Sequence, residues 1–148
     1  MPKLQSFLAL DSADRIATIE AMALLLYAKL LVATVPPRRW RSRFGSVAGH
    51  AATEVSAGNL ATVRRMRFAI ARALRNVPAA PNCLPQALAA RWMLDRRGIA
   101  SDLFIGTQRG PGEVPHFHAW LKVGEEWVTG LCDETQYTLF STSDPEPA

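Results

Sequence analysis

Two short runs hold the residues with chemistry to offer. In Asn82-Cys83-Leu84-Pro85-Gln86 a cysteine stands beside a proline of the kind tolerated in a first helical turn, where its missing N–H has no partner to lose. A thiol there meets unpaired backbone N–H groups and the positive end of the helix dipole, which favour the nucleophilic thiolate. The bland reading is a small apolar core cysteine, but a proline-marked helix start favours the nucleophile. In His116-Phe117-His118-Ala119-Trp120 a histidine can serve as the base that a cysteine nucleophile needs. His116 and His118 with a cysteine also suggest zinc ligation. That option ranks lower, because a fourth ligand is missing and Cys83 has no CxxC partner.

These residues need elements to hold them. Asp11 or Ser12 can cap a helix from Ala13 to about Val35, stopped by Pro36-Pro37. Arg38 to Gly49 reads as a basic connection or short helix. Asn59 can cap a second helix to about Asn76, with Leu60, Val63, Met66, Phe68, Ile70 and Leu74 as its apolar positions. Its other face carries Arg64, Arg65, Arg67, Arg72 and Arg75, first a solvated stripe and second a docking surface for an acidic partner. After the Pro78–Pro81 turn, a third helix runs from Cys83 to Arg97 and ends at Gly98. Strands follow at Ser101–Thr107, Phe117–Val123 and Glu126–Thr129, the last two joined by a tight hairpin turn. The loop Gln108 to Pro115 carries two Gly and two Pro, and Ser141 to Ala148 reads as a frayed tail. The fold class is α+β, with a helical part over residues 1–77 and a catalytic core over 78–148, one compact unit.

Composition narrows the classes. A chain of 148 residues, 49% hydrophobic and 20% charged, is neither disordered nor larger than one domain. Two cysteines exclude a disulfide-stapled scaffold and point to a reducing compartment. A net charge of +4 is milder than a dedicated nucleic-acid binder usually shows, so no nucleic-acid partner is expected. The first residues lack the basic-then-apolar pattern of a secretory signal, so the expected location is cytoplasmic. The stretch Ile16–Val35 approaches the length of a membrane span, but Glu20 and Lys29 interrupt it. It reads as a buried helix first. The second reading is an interfacial membrane helix, favoured by Arg38, Arg39, Arg41 and Arg43 beside it.

Several segments together carry a family resemblance. Cys83-Leu84-Pro85-Gln86-Ala87-Leu88-Ala89, then Leu94-Asp95-Arg96-Arg97-Gly98-Ile99, then Ile105-Gly106 and His118-Ala119-Trp120-Leu121 resemble the lasso-peptide leader peptidases. These are transglutaminase-like cysteine proteases that mature ribosomally made lasso peptides. The resemblance covers Asn82 to Thr129, and the helical half is similar in character. It implies a papain/transglutaminase-like core in which the cysteine-bearing helix packs on a small antiparallel sheet bearing the histidine. It also implies the stand-alone form, with a separate leader-recognition protein and an ATP-dependent lasso cyclase as partners, and no cofactor or metal.

By position, the resemblance makes Cys83 the nucleophile and His118 the general base. His116 is then a neighbour and Cys132 a bystander. Backbone N–H at Cys83, with the side chain of Asn82 or Gln86, is expected to stabilise the oxyanion. The family's third residue, an Asp on the strand after the histidine, falls at Thr129-Gly130. Asp133, followed by Glu134, is the nearest carboxylate beyond and is taken as the third member. A backbone carbonyl, Thr129 Oγ1 or water are the alternatives. The implied reaction is removal of a leader from a lasso precursor peptide by acyl transfer to water. A transglutaminase-like acyltransferase and an inactive peptide-binding scaffold stand as the other readings.

Overall fold

A computed structural model describes residues 2–36, 39, 55–108 and 116–139. The expectations for the tail, for residues 109–115 and for the basic connection other than Arg39 lie outside the described residues. Among these, four helices lead into a sheet. They are α1 (Pro2–Leu8), α2 (Ser12–Thr34), α3 (Ala57–Leu74) and α4 (Cys83–Asp95). Strands β1 (Asp102–Gln108), β2 (His116–Val123) and β3 (Glu126–Thr129) follow. A 3-10 turn at Glu134–Gln136 then leads into β4 (Thr138–Leu139). The strand order is β3-β2-β1-β4, antiparallel throughout, which makes the chain α+β.

Local chemistry sets the helix boundaries. Asp11 caps α2 by accepting from the Asp14 N–H at 2.7 Å. At the start of α3 the cap is Ser56, not Asn59. The Ser56 hydroxyl accepts the Asn59 N–H at 3.2 Å, so Asn59 lies inside the first turn. Helix α4 ends earlier than Arg97, and Gly98, with φ +70°, turns the chain so that the Ile99 N–H reaches the Leu94 carbonyl at 3.0 Å. The short α1, the 3-10 turn and β4 have no counterpart in the sequence expectations.

Helices α2, α3 and α4 pack on one another, and α4 lies against β2 and β3. Ala17, Ala21, Leu25, Val63, Met66, Leu88, Met93 and Leu94 join Leu103, Ala119, Leu121 and Val128 in one buried cluster. Burying a Leu or Met side chain of this kind contributes roughly 1.5–3 kcal/mol. Phe68, expected inside, is 54% exposed, and the Arg67 guanidinium covers its ring at 5.3 Å.

Charges inside the apolar α2 are paired. Glu20 accepts from Arg97 Nη1 and Nη2 at 3.1 and 2.7 Å, and Lys29 Nζ donates to the Ala79 carbonyl at 2.7 Å. The face of α2 turned away from Ala17, Ala21, Leu25 and Ala28 leaves Ile16, Ile19, Leu26, Tyr27 and Leu30 exposed. By length and composition the helix is also apolar enough to cross a membrane, so it is compatible with either a soluble or a membrane-associated chain.

The arginine stripe of α3 is more than a solvated face. Arg64 and Arg67 both reach Glu126 Oε1, at 3.1 and 3.0 Å, tying α3 to β3. Arg65 pairs with Asp14 at 2.9 Å, and Arg72 Nε donates to Thr18 Oγ1 at 3.0 Å, tying α3 to α2.

Candidate active site

Cys83 opens α4. The cap residue Asn82 is exposed and makes no side-chain cap hydrogen bond. The first-turn N–H groups of Cys83 and Leu84 therefore keep their donor capacity, while Pro85 has none to satisfy. The first internal bond runs from the Gln86 N–H to the Asn82 carbonyl at 3.3 Å. Gln86 turns out differently from the expected oxyanion donor: its Nε2 donates to the Pro81 carbonyl at 2.8 Å and braces the turn into the helix. Cys83 itself is half-buried against the helix-side core.

The residues of β2 alternate between two faces. Ala119, Leu121 and Val123 belong to the helix-side cluster. His118 and Trp120 lie on the other face, their rings stacked with centroids 5.8 Å apart and planes at 23°. Tyr137 leans on both, 5.5 Å from His118 and 5.6 Å from Trp120. Trp120 is fully buried and donates its indole N–H to Glu134 Oε1 at 2.9 Å. Lys122 Nζ takes the other carboxylate oxygen of Glu134 at 3.4 Å. Gly106, the partner of His118 on β1, makes room for this layer. A Cβ there would stand 2.9 Å from Tyr137 Cβ and 3.3 Å from Trp120 Cη2.

Helix α4, which carries Cys83, packs on β2, the strand that carries His118. Cys83 and His118 nevertheless start from opposite faces. Among the described residues no hydrogen bond joins the thiol to the imidazole.

The partner of His118 is a backbone group. Its Nε2 lies 2.8 Å from the Gly130 carbonyl oxygen. Gly130 has φ +72°, a region that favours glycine. A Cβ there would come within 2.5 Å of the Ala119 carbonyl oxygen and 2.9 Å of Trp120 Cβ. No side chain fits at this position, a carboxylate included.

Asp133, expected to orient His118, does something else. Its Oδ1 accepts from the Thr135 N–H at 3.1 Å and the Thr135 hydroxyl at 2.6 Å, and its Oδ2 from Gln136 Nε2 at 3.3 Å. It caps the 3-10 turn, fully exposed, and its Thr135 bonds hold the carboxyl below the usual aspartate range. Thr129 Oγ1 is buried without a hydrogen-bond partner among the described residues, so it does not orient the imidazole either. Cys132 is half-buried, and burial, then Glu134 and Asp133, push its thiol up, away from the reactive thiolate. His116 is exposed at the start of β2. Among the described residues no three His, Cys, Asp or Glu side chains are grouped to hold a metal ion.

Trp120, Tyr137, Glu134 and Gly130 were not singled out as site residues from the sequence. Only the last carried a usable signal, a glycine where a carboxylate would otherwise stand. A family model described as the transglutaminase-like superfamily matches residues 23–142. No curated protein and no solved structure matches the chain.

Proposed function

The chain belongs to the transglutaminase-like superfamily, and from that premise we propose that it is a cysteine peptidase acting on a peptide bond through Cys83 and His118. One observation carries the reading: Cys83 sits at the uncapped first turn of a helix that packs under the histidine-bearing strand. The Cys83 sulfur attacks the peptide carbonyl, and its proton passes to the imidazole. The N–H groups of Cys83 and Leu84, with the exposed Asn82 amide, receive the oxyanion. The imidazolium returns its proton to the departing amine as the C–N bond breaks. Water then attacks the thioester, its proton going to His118, and the acid and the thiol are released. Thiol–imidazole contacts of catalytic pairs are often long before substrate binds and tighten in the complex.

The substrate in this reading is a lasso precursor peptide, cut at the leader–core junction. A separate leader-recognition protein delivers it, and an ATP-dependent cyclase uses the freed core amine. The starting positions of Cys83 and His118 on opposite faces favour, as a second reading, a scaffold that binds peptide without turnover. Incubating the protein with a lasso precursor peptide and the cognate leader-recognition protein separates the two. Cleavage with a leader product heavier by one water, lost about 10⁴-fold or more in both Cys83→Ala and His118→Ala, supports the peptidase. Cleavage retained by either variant overturns it, and binding without cleavage by the unaltered chain supports the scaffold.

A further inference from the structure

We infer that Gly130 is a positioning residue, whose backbone carbonyl takes the place of the orienting carboxylate and sets His118 to work through Nδ1. The inference rests on the peptidase reading above. An imidazole that is neutral carries one proton, and the hydrogen bond made by one nitrogen decides which. A carbonyl oxygen only accepts, so at 2.8 Å from it Nε2 must hold the proton. Nδ1 then keeps the lone pair that receives the Cys83 proton, and Nδ1 later returns that proton to the leaving amine.

Three features hold this arrangement. The left-handed Gly130 turns its carbonyl onto the ring, and the 2.5 Å approach of a Cβ to the Ala119 carbonyl oxygen leaves glycine as the residue that fits. Trp120 stacks on the ring and Tyr137 leans on it, so the imidazole is confined about its Cβ–Cγ bond. Glu134 fixes Trp120 through the indole N–H, so a carboxylate does act here, one ring removed from the histidine. The Gly130 carbonyl and the Trp120 and Tyr137 rings that meet the imidazole are all uncharged. A carbonyl supports an imidazolium less than a carboxylate does, while it selects the tautomer equally well.

The test is NMR of the full chain labelled with ¹⁵N-histidine, with His118 assigned through a variant carrying both His50→Gln and His116→Gln, at a pH where the ring is neutral. A protonated Nε2 and bare Nδ1 are expected; a proton on Nδ1 overturns the inference whatever the activity. In Gly130→Ala the tautomer preference is expected to weaken. Its kcat for precursor cleavage should fall about 10- to 1,000-fold, short of the roughly 10⁴ seen when a triad histidine is left in the wrong tautomer, with KM little changed. Unchanged tautomer and kcat in a folded Gly130→Ala protein also overturn it. If that variant does not fold, the measurement on the unaltered chain decides alone. Failure of the peptidase reading is seen separately, as cleavage retained by Cys83→Ala with the tautomer as expected.

Discussion

Glu20 and His118 are both polar side chains set among apolar neighbours, and the molecule holds them by opposite means. Glu20, its side chain only 10% exposed, is gripped by two guanidiniums: Arg97 holds both oxygens and Arg96 approaches at 3.2 Å. His118 has a carbonyl and two aromatic rings. Taking a carboxylate largely out of water costs free energy that opposite charge and hydrogen bonds must offset. A catalytic base must change protonation state during turnover. Strong charge pairing would hold it in one state, whereas a neutral acceptor fixes its orientation and leaves the proton exchangeable. Glu20 is thus held by charge, whereas His118, in the peptidase reading, is held by a geometry that leaves its proton free to move.

That contrast can be broken at several points. The largest effect is expected from Glu20→Ala, which leaves Arg97 partly buried without its carboxylate. A loss of about 2–3 kcal/mol should lower Tm by roughly 4–10 °C in thermal unfolding, with the cleavage rate of the folded protein unchanged. A rate loss at unchanged Tm would place Glu20 in the site's function and dissolve the contrast. Glu126→Ala should cost less, about 1 kcal/mol by chemical denaturation, because the Arg64 side chain it releases is already 52% exposed. A larger loss would mean that the α3–β3 clamp holds the sheet in place. The smallest effect belongs to Asp133→Ala. Its carboxylate only caps the 3-10 turn, so precursor cleavage should stay within about twofold. A tenfold or greater drop in kcat would return Asp133 to the histidine and remove Gly130 from it.

The elements that were legible share strong local signals. Asp11 and Pro36 bracket α2, the β2–β3 hairpin shows alternation about a tight turn, and Gly98 marks the end of α4. The elements that were not legible, α1, the 3-10 turn and β4, are too short to show a period. In the site, Cys83 and His118 stood out because thiol and imidazole are reactive groups wherever they fall. Asp133 misled because nearness in the chain was taken for nearness in space. Its oxygens were claimed two residues away, by Thr135. The arginines of α3 looked like a free stripe because their partners, Asp14, Thr18 and Glu126, lie far off in sequence.

The chain by itself determines its reactive groups, its α+β order and the helix start that carries Cys83, because caps, prolines and hydrophobic periods act within a few residues. What orients His118 was decided only by tertiary structure. A carbonyl is present at every residue and has no letter in the sequence. It becomes a partner for one imidazole only when β3 ends beside β2, Gly130 adopts φ +72°, and Trp120 and Tyr137 close on the ring.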